Sequence, residues 1–220
     1  MERFDAVLFD CDGVLVDSEP ITNGVLRQML NEAGWALTPA ECEHHFIGRA
    51  VRDQRALIEA ETGKPLTEEW MRAFYARRNE RLVAELQAVA GALDAVIAAH
   101  GHTAGRIACA SGADRPKVVM QIGMAGMAPY FGERIFSGHD LPRSKPHPDV
   151  YLAAAAHLGV DPARCLVIED TATGAQAGLA AGATVWGYCP HGDGRAFGGL
   201  PVARVMQHMG ELVQHLAPLR

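Results

Sequence analysis

Ala6-Val7-Leu8-Phe9-Asp10-Cys11-Asp12-Gly13 is four consecutive apolar residues that break off into two acids and a glycine. An apolar run that does not alternate with polar residues marks a strand covered on both faces, which is the environment of a parallel sheet under helices. The abrupt switch at Asp10 marks its carboxyl end. The same pattern recurs at Ile107-Ala108-Cys109-Ala110 before Ser111-Gly112, at Leu166-Val167-Ile168 before Glu169-Asp170, and at Ala183-Thr184-Val185-Trp186 before Gly187. Helical patterns lie between these runs. One covers Ala92 to His100 and stops at Gly101; another covers Pro148 to Leu158, with proline in the first turn and Gly159 after the last. Strands alternating with helices predict an α/β fold, a Rossmann-like and mainly parallel sheet with helices on both faces.

Residues 18–86 break that rhythm. No strand-like run occurs there, and apolar positions fall at helical spacing: Val25, Leu26, Met29, Leu30 and Ala33 form one stripe, and Trp70, Phe74, Leu82 and Leu86 most of another. The expected organisation is a core of residues 1–17 and 87–220 interrupted after the first strand by an all-helical insert, 18–86, with the chain returning to the sheet near Val89-Ala90-Gly91. Core packing accounts for the stripes without any ligand role. Gly192 to Gly199 reads as a surface loop.

At 220 residues and 49% hydrophobic content, the chain is large enough to bury a core and a sizeable insert. Twenty Lys+Arg against 26 Asp+Glu leave a net charge of -6, which argues against sequence-independent nucleic-acid binding and favours a small-molecule partner. Five cysteines with no CxxC or zinc spacing predict neither a disulfide framework nor a metal knuckle, and fit a reducing, cytoplasmic setting. No apolar run reaches the ~18 residues of a membrane span, so no membrane association is expected.

Asp10, Asp12, Glu169 and Asp170 follow two of the predicted buried strands. In a parallel sheet the carboxyl ends share one rim, where open α/β folds bind ligands. Two carboxylates ~5 Å apart repel by roughly 3 kcal/mol at an effective dielectric near 20, so a cluster there calls for a cation, and hard oxygens without thiolate suit Mg²⁺. Singly, each acid reads equally well as a helix cap. Asp10 and Asp12, two apart in extended chain, project to the same side and offer a nucleophile and an acid/base in one site. Neighbouring acids would bias Asp12 toward the protonated form that a leaving group needs. Ser111, the backbone around Gly112, and Lys145 in Ser144-Lys145-Pro146-His147-Pro148 supply hydroxyl, amide and cationic donors for phosphate oxygens.

Taken together, Asp10-Cys11-Asp12-Gly13-Val14-Leu15-Val16-Asp17-Ser18, Ser111, Lys145 and Val167-Ile168-Glu169-Asp170 resemble the four ordered motifs of the haloacid dehalogenase superfamily. The helical insert is similar to the small cap of its beta-phosphoglucomutase-like group, as are Phe136-Ser137-Gly138 and Lys145-Pro146-His147-Pro148-Asp149 to that group's connecting segments. The resemblance implies a magnesium-dependent phosphatase acting on a small phosphoester through an aspartyl-phosphate. Asp10 would be the nucleophile and Asp12 the acid/base, with its carbonyl facing the metal. Asp170, with Glu169 beside it, would complete the metal site, while Ser111 and Lys145 would hold the phosphoryl group.

Dehalogenases proper need no metal and lack the second aspartate, so Asp12 argues against that activity. Beta-phosphoglucomutases carry a cap histidine where this chain has Thr22, and a cap arginine that falls, on alignment through Gly48 and Asp53, at Val51; Arg49 and Arg52 lie close enough to compensate. A non-catalytic phosphate-binding module has no need of mutually repelling acids. Overall similarity leans toward sugar phosphates or their acids, such as 6-phosphogluconate. Arg49, Arg52, Lys64, Arg72, Arg77, Arg78 and Arg81 are candidates for an anionic substrate tail, though most charges of this kind are solvated.

Overall fold

The computed structural model describes residues 4–46, 49–192 and 194–217. Two compact units emerge: one joins Met1–Val16 to Ala88–Arg220, and the other is Asp17–Gln87.

The first unit is built on a six-stranded sheet ordered β3-β2-β1-β4-β5-β6, with every neighbouring pair parallel. β1 (Ala6–Phe9), β2 (Ile107–Ser111), β4 (Cys165–Glu169) and β5 (Thr184–Tyr188) are the four predicted strands, within two residues at either end. β1, β2 and β4 are buried along their whole length, as their unalternating apolar runs required. On one face Ala6, Leu8, Ala108, Ala110, Val167 and Val185 pack with Tyr151 and Ala154 of α8 (Asp149–Leu158) and with Ala175 and Ala177 of α9 (Ala172–Ala180). On the other, Phe9 meets Phe131 of α7 (Ala128–Phe131) edge to face, ring centroids 6.1 Å apart. Each fully buried side chain of this size contributes ~1.5–3 kcal/mol relative to exposure.

β3 (Ile135–Ser137) and β6 (Arg204–Met206) are additions the sequence did not announce. Each is three residues long on a sheet edge, too short for a periodicity signal. α5 (Ala92–His102) runs past Gly101, and Gly192 to Gly199 contains a short 3-10 turn, Arg195–Phe197, whose Phe197 is buried in the core. The chain re-enters the sheet unit where Val89 N–H donates to the Leu15 carbonyl at 3.0 Å.

The second unit is helical throughout its described residues: α1 (Glu19–Ala33), α2 (Pro39–Phe46), α3 (Arg55–Thr62) and α4 (Glu68–Glu85), with a 3-10 turn over Val51–Gln54. Its core joins Val25, Leu26, Met29 and Leu30 of the first stripe to Trp35, Leu37, Cys42, Ile58, Met71 and Phe74. Thr67 caps α4 by accepting from Trp70 N–H at 3.1 Å, and a left-handed Gly34 ends α1.

Gly48, used to align the cap arginine, lies outside the described residues. Val51 is half-buried in the 3-10 turn, and Arg52 forms a two-pronged pair with Glu68 at 2.5 and 3.0 Å. Arg77 pairs with Glu32, Arg81 with Glu85, and buried Arg78 lies 4.7 Å above the Tyr75 ring. Arg49, Lys64 and Arg72 are exposed.

Candidate active site

In the 3-2-1-4-5-6 order the chain changes direction across the sheet between β1 and β4, and ligands of such sheets bind beyond the strand ends at that point. Asp10 ends β1 there, its N–H donating to the Ile168 carbonyl of β4 at 3.0 Å, so Asp10 and Glu169 emerge side by side. Ser111 ends β2, the strand on the other side of β1; it is buried, and its hydroxyl oxygen accepts from Ala113 N–H at 3.0 Å. Gly112 follows in the loop before α6 (Arg115–Met124).

Lys145 connects the strand ends. Its ammonium donates to Asp10 Oδ1 at 2.6 Å and to Glu169 Oε1 at 2.7 Å, with only 9% of the side chain exposed. Burial alone would pull the lysine down, but the charges of Asp10 and Glu169 outweigh it and hold Lys145 well above its ordinary value. Burial pushes the Asp10 carboxyl up to about 7; Lys145 opposes this, while Glu169 and Asp12 push with it. A cation at the same carboxylates reverses the balance and favours the ionised form.

The neighbouring thiol is no rival nucleophile. Cys11 is held well above its ordinary value by the neighbouring Cys109 thiol, then by burial. All five cysteines are free.

Asp10, Glu169 and Asp170 each offer an oxygen within 4.8 Å of the others. This donor set, all carboxylate and free of sulfur, fits a hard divalent cation. Gly13, at φ +79°, leaves room for the Asp170 carboxylate, which a Cβ there would overlap. Glu169 is more heavily engaged. Oε1 accepts from Lys145 and, at 2.7 Å, from the buried Tyr151 hydroxyl; Oε2 accepts from Asp170 N–H at 3.1 Å, Thr171 N–H at 3.3 Å and the Thr171 hydroxyl at 3.2 Å. Glu169 thus accepts from five donors in all. A Cβ on Gly174 would overlap the same carboxylate. Gly174→Ala is therefore expected to displace Glu169, lower stability by about 1–3 kcal/mol and slow turnover. Thermal melts and kcat/KM check this, and a variant matching the parent in both refutes the packing argument.

Asp12 lies in surroundings the sequence reading did not foresee. Instead of acids alone, its Oδ1 accepts from the Lys117 ammonium at 2.7 Å and the Gln121 amide at 2.9 Å, both from α6. Lys117, Gln121, Tyr151 and Thr171 were not singled out from sequence. The available signal was a lysine and a glutamine four apart, flanking Val118 and Ile122 on a helix face that is otherwise apolar.

No described helix is long and apolar enough to cross a membrane. The 6-phosphogluconate phosphatase of Escherichia coli is 34% identical over 196 residues, 87% of this chain and 86% of that protein. A phosphoglycolate phosphatase from Nitrosospira multiformis is 31% identical, covering 82% and 81%. A hydrolase from Deinococcus radiodurans, solved with phosphate and sodium bound, is 34% identical over the full length of both chains, with a TM-score of 0.76. The model of haloacid dehalogenase-like hydrolases matches residues 4–182, spanning the ends of β1, β2 and β4 and Lys145. Site geometry, motif order and sequence relationship thus agree, and the chain belongs to the haloacid dehalogenase-like hydrolases.

Proposed function

We propose that this protein is a phosphatase of a small phosphorylated sugar or sugar acid, working through an aspartyl-phosphate on Asp10. The observation that carries the reading is Lys145 bridging Asp10 and Glu169 at the switch point of the sheet, beside a second aspartate. Asp10 attacks phosphorus as the substrate P–O bond breaks, and Asp12 gives a proton to the departing alkoxide. Asp12 then takes a proton from the water that attacks phosphorus, and the Asp10 oxygen leaves, releasing inorganic phosphate. Lys145 and the Ser111–Gly112 segment hold the phosphoryl oxygens throughout. Asp10, Asp170 and the Asp12 carbonyl are the groups that would hold Mg²⁺, which when bound offsets charge on the phosphoryl group. Glu169, a candidate ligand from the sequence, serves here chiefly to orient Lys145.

Two considerations support an acidic substrate. Relatives are named for 6-phosphogluconate and phosphoglycolate, phosphoesters that both carry a carboxylate. With Arg52, Arg77 and Arg81 paired to acids, the basic candidates narrow to the exposed Arg49, Lys64 and Arg72.

A screen of phosphorylated metabolites with Mg²⁺ present, 6-phosphogluconate among them, tests the substrate class; a preference for neutral sugar phosphates sinks the acid. The same enzyme given beta-glucose 1-phosphate and a catalytic amount of the 1,6-bisphosphate should yield little glucose 6-phosphate. Thr22 has no imidazole and Val51 no guanidinium, the two groups a mutase uses to re-bind its bisphosphate. Rapid isomerisation without phosphate release overturns the phosphatase in favour of a mutase.

A further inference from the structure

We propose that Lys117 and Gln121 are positioning residues that fix the Asp12 carboxylate, and that they influence the reaction only through Asp12. The inference rests on the reading of Asp12 as acid/base. α6 starts immediately after the Ser111 loop, and its first turn is set by Asp114, whose side chain accepts from Lys117 N–H at 3.1 Å. Lys117 and Gln121, four apart, share a face of the helix. Both reach the same atom, Asp12 Oδ1, at 2.7 and 2.9 Å. An ammonium and an amide on one oxygen hold the Asp12 side chain in one position and orientation.

The clamp is itself held. Cys11 Sγ donates to Gln121 Oε1 at 3.5 Å, which turns the amide nitrogen toward Asp12 and gives the carboxamide one orientation. Lys117 is 4% exposed and Gln121 wholly buried. Burying an ammonium and an amide is costly without partners, and leucine or methionine would fill the same space more cheaply. Their shared target is the acid/base side chain and not another element of the core.

A leaving-group comparison in a double-mutant cycle tests this. Phenyl phosphate needs its departing oxygen protonated, whereas 4-nitrophenolate leaves unaided, and kcat/KM reports the step in which they depart. Lys117→Met should lower kcat/KM for phenyl phosphate about 10-fold or more, and for p-nitrophenyl phosphate less than about threefold. In an Asp12→Asn background, Lys117→Met should add no more than about a twofold loss, because residues acting through one group are non-additive. Gln121→Met should show the same pattern, and it decides the question by the same criteria if Lys117→Met does not fold. Equal losses on both substrates, or equal losses with and without Asp12, overturn the clamp in favour of ordinary packing. An Asp12→Asn variant with unimpaired phenyl phosphate turnover instead removes the acid/base reading itself. Impaired Asp12→Asn beside a fully active Lys117→Met removes the clamp alone.

Discussion

Asp10→Asn is expected to cut turnover of any phosphoester by about 10⁴-fold or more, while the melting temperature stays within a few degrees of the parent. The amide is nearly isosteric with the carboxylate, but its oxygen is too weak a nucleophile to displace an alkoxide from phosphorus. The fold tolerates the change for a specific reason. Removing one partner of a buried ion pair ordinarily costs about 3–5 kcal/mol by stranding the other charge. Lys145 is not stranded, because Glu169 Oε1 still accepts its proton at 2.7 Å. Steady-state rates on freshly purified, mass-verified protein, with thermal melts alongside, are the measurement. Activity within about tenfold of the parent would place the nucleophile elsewhere.

Chelation of divalent metal should abolish activity, and Mg²⁺ should restore it. Asp10, Glu169 and Asp170 bring oxygens within 4.8 Å of one another, and Lys145 supplies one positive charge to Asp10 and Glu169 together. An added cation relieves the remaining repulsion, so Mg²⁺ should also protect the folded state, by about 2.7 kcal/mol at a hundred times its dissociation constant. A rise in melting temperature on titrating Mg²⁺ reports binding without any assay of catalysis. Asp170→Ala should raise the Mg²⁺ concentration needed for both effects by about tenfold or more. Full activity in chelator, with no bound metal by elemental analysis and no thermal shift, refutes the site.

The readable part of the site is the part encoded at strand ends. Asp10, Ser111 and Glu169 each stand at or just beyond the last residue of a buried strand, where an apolar run meets a polar residue and the change in pattern is local. The motif residues at 10–13, 111, 145 and 169–170 carry the family resemblance because their types and order are dictated by chemistry at one rim. The helical insert was legible for a similar reason, since Val25, Leu26, Met29 and Leu30 show the spacing of a buried helix face. The short edge strands β3 and β6 were not, having three residues each.

By itself, then, the sequence determined that this chain forms a parallel α/β sheet interrupted by helices and gathers acids at its rim, because buried strands and helix faces write their burial directly into hydrophobic period. Only the tertiary structure decided which partners each acid meets. It filled both oxygens of Glu169 with donors from Lys145, Tyr151 and Thr171, set Lys117 and Gln121 on one oxygen of Asp12, and paired Arg52, Arg77 and Arg81 with acids. Asp12 meets its partners across 105 and 109 residues of chain, and Lys145 meets Asp10 across 135. A hydrogen bond depends on distances of a few tenths of an ångström between atoms that far apart in sequence, and no local pattern of residues records them.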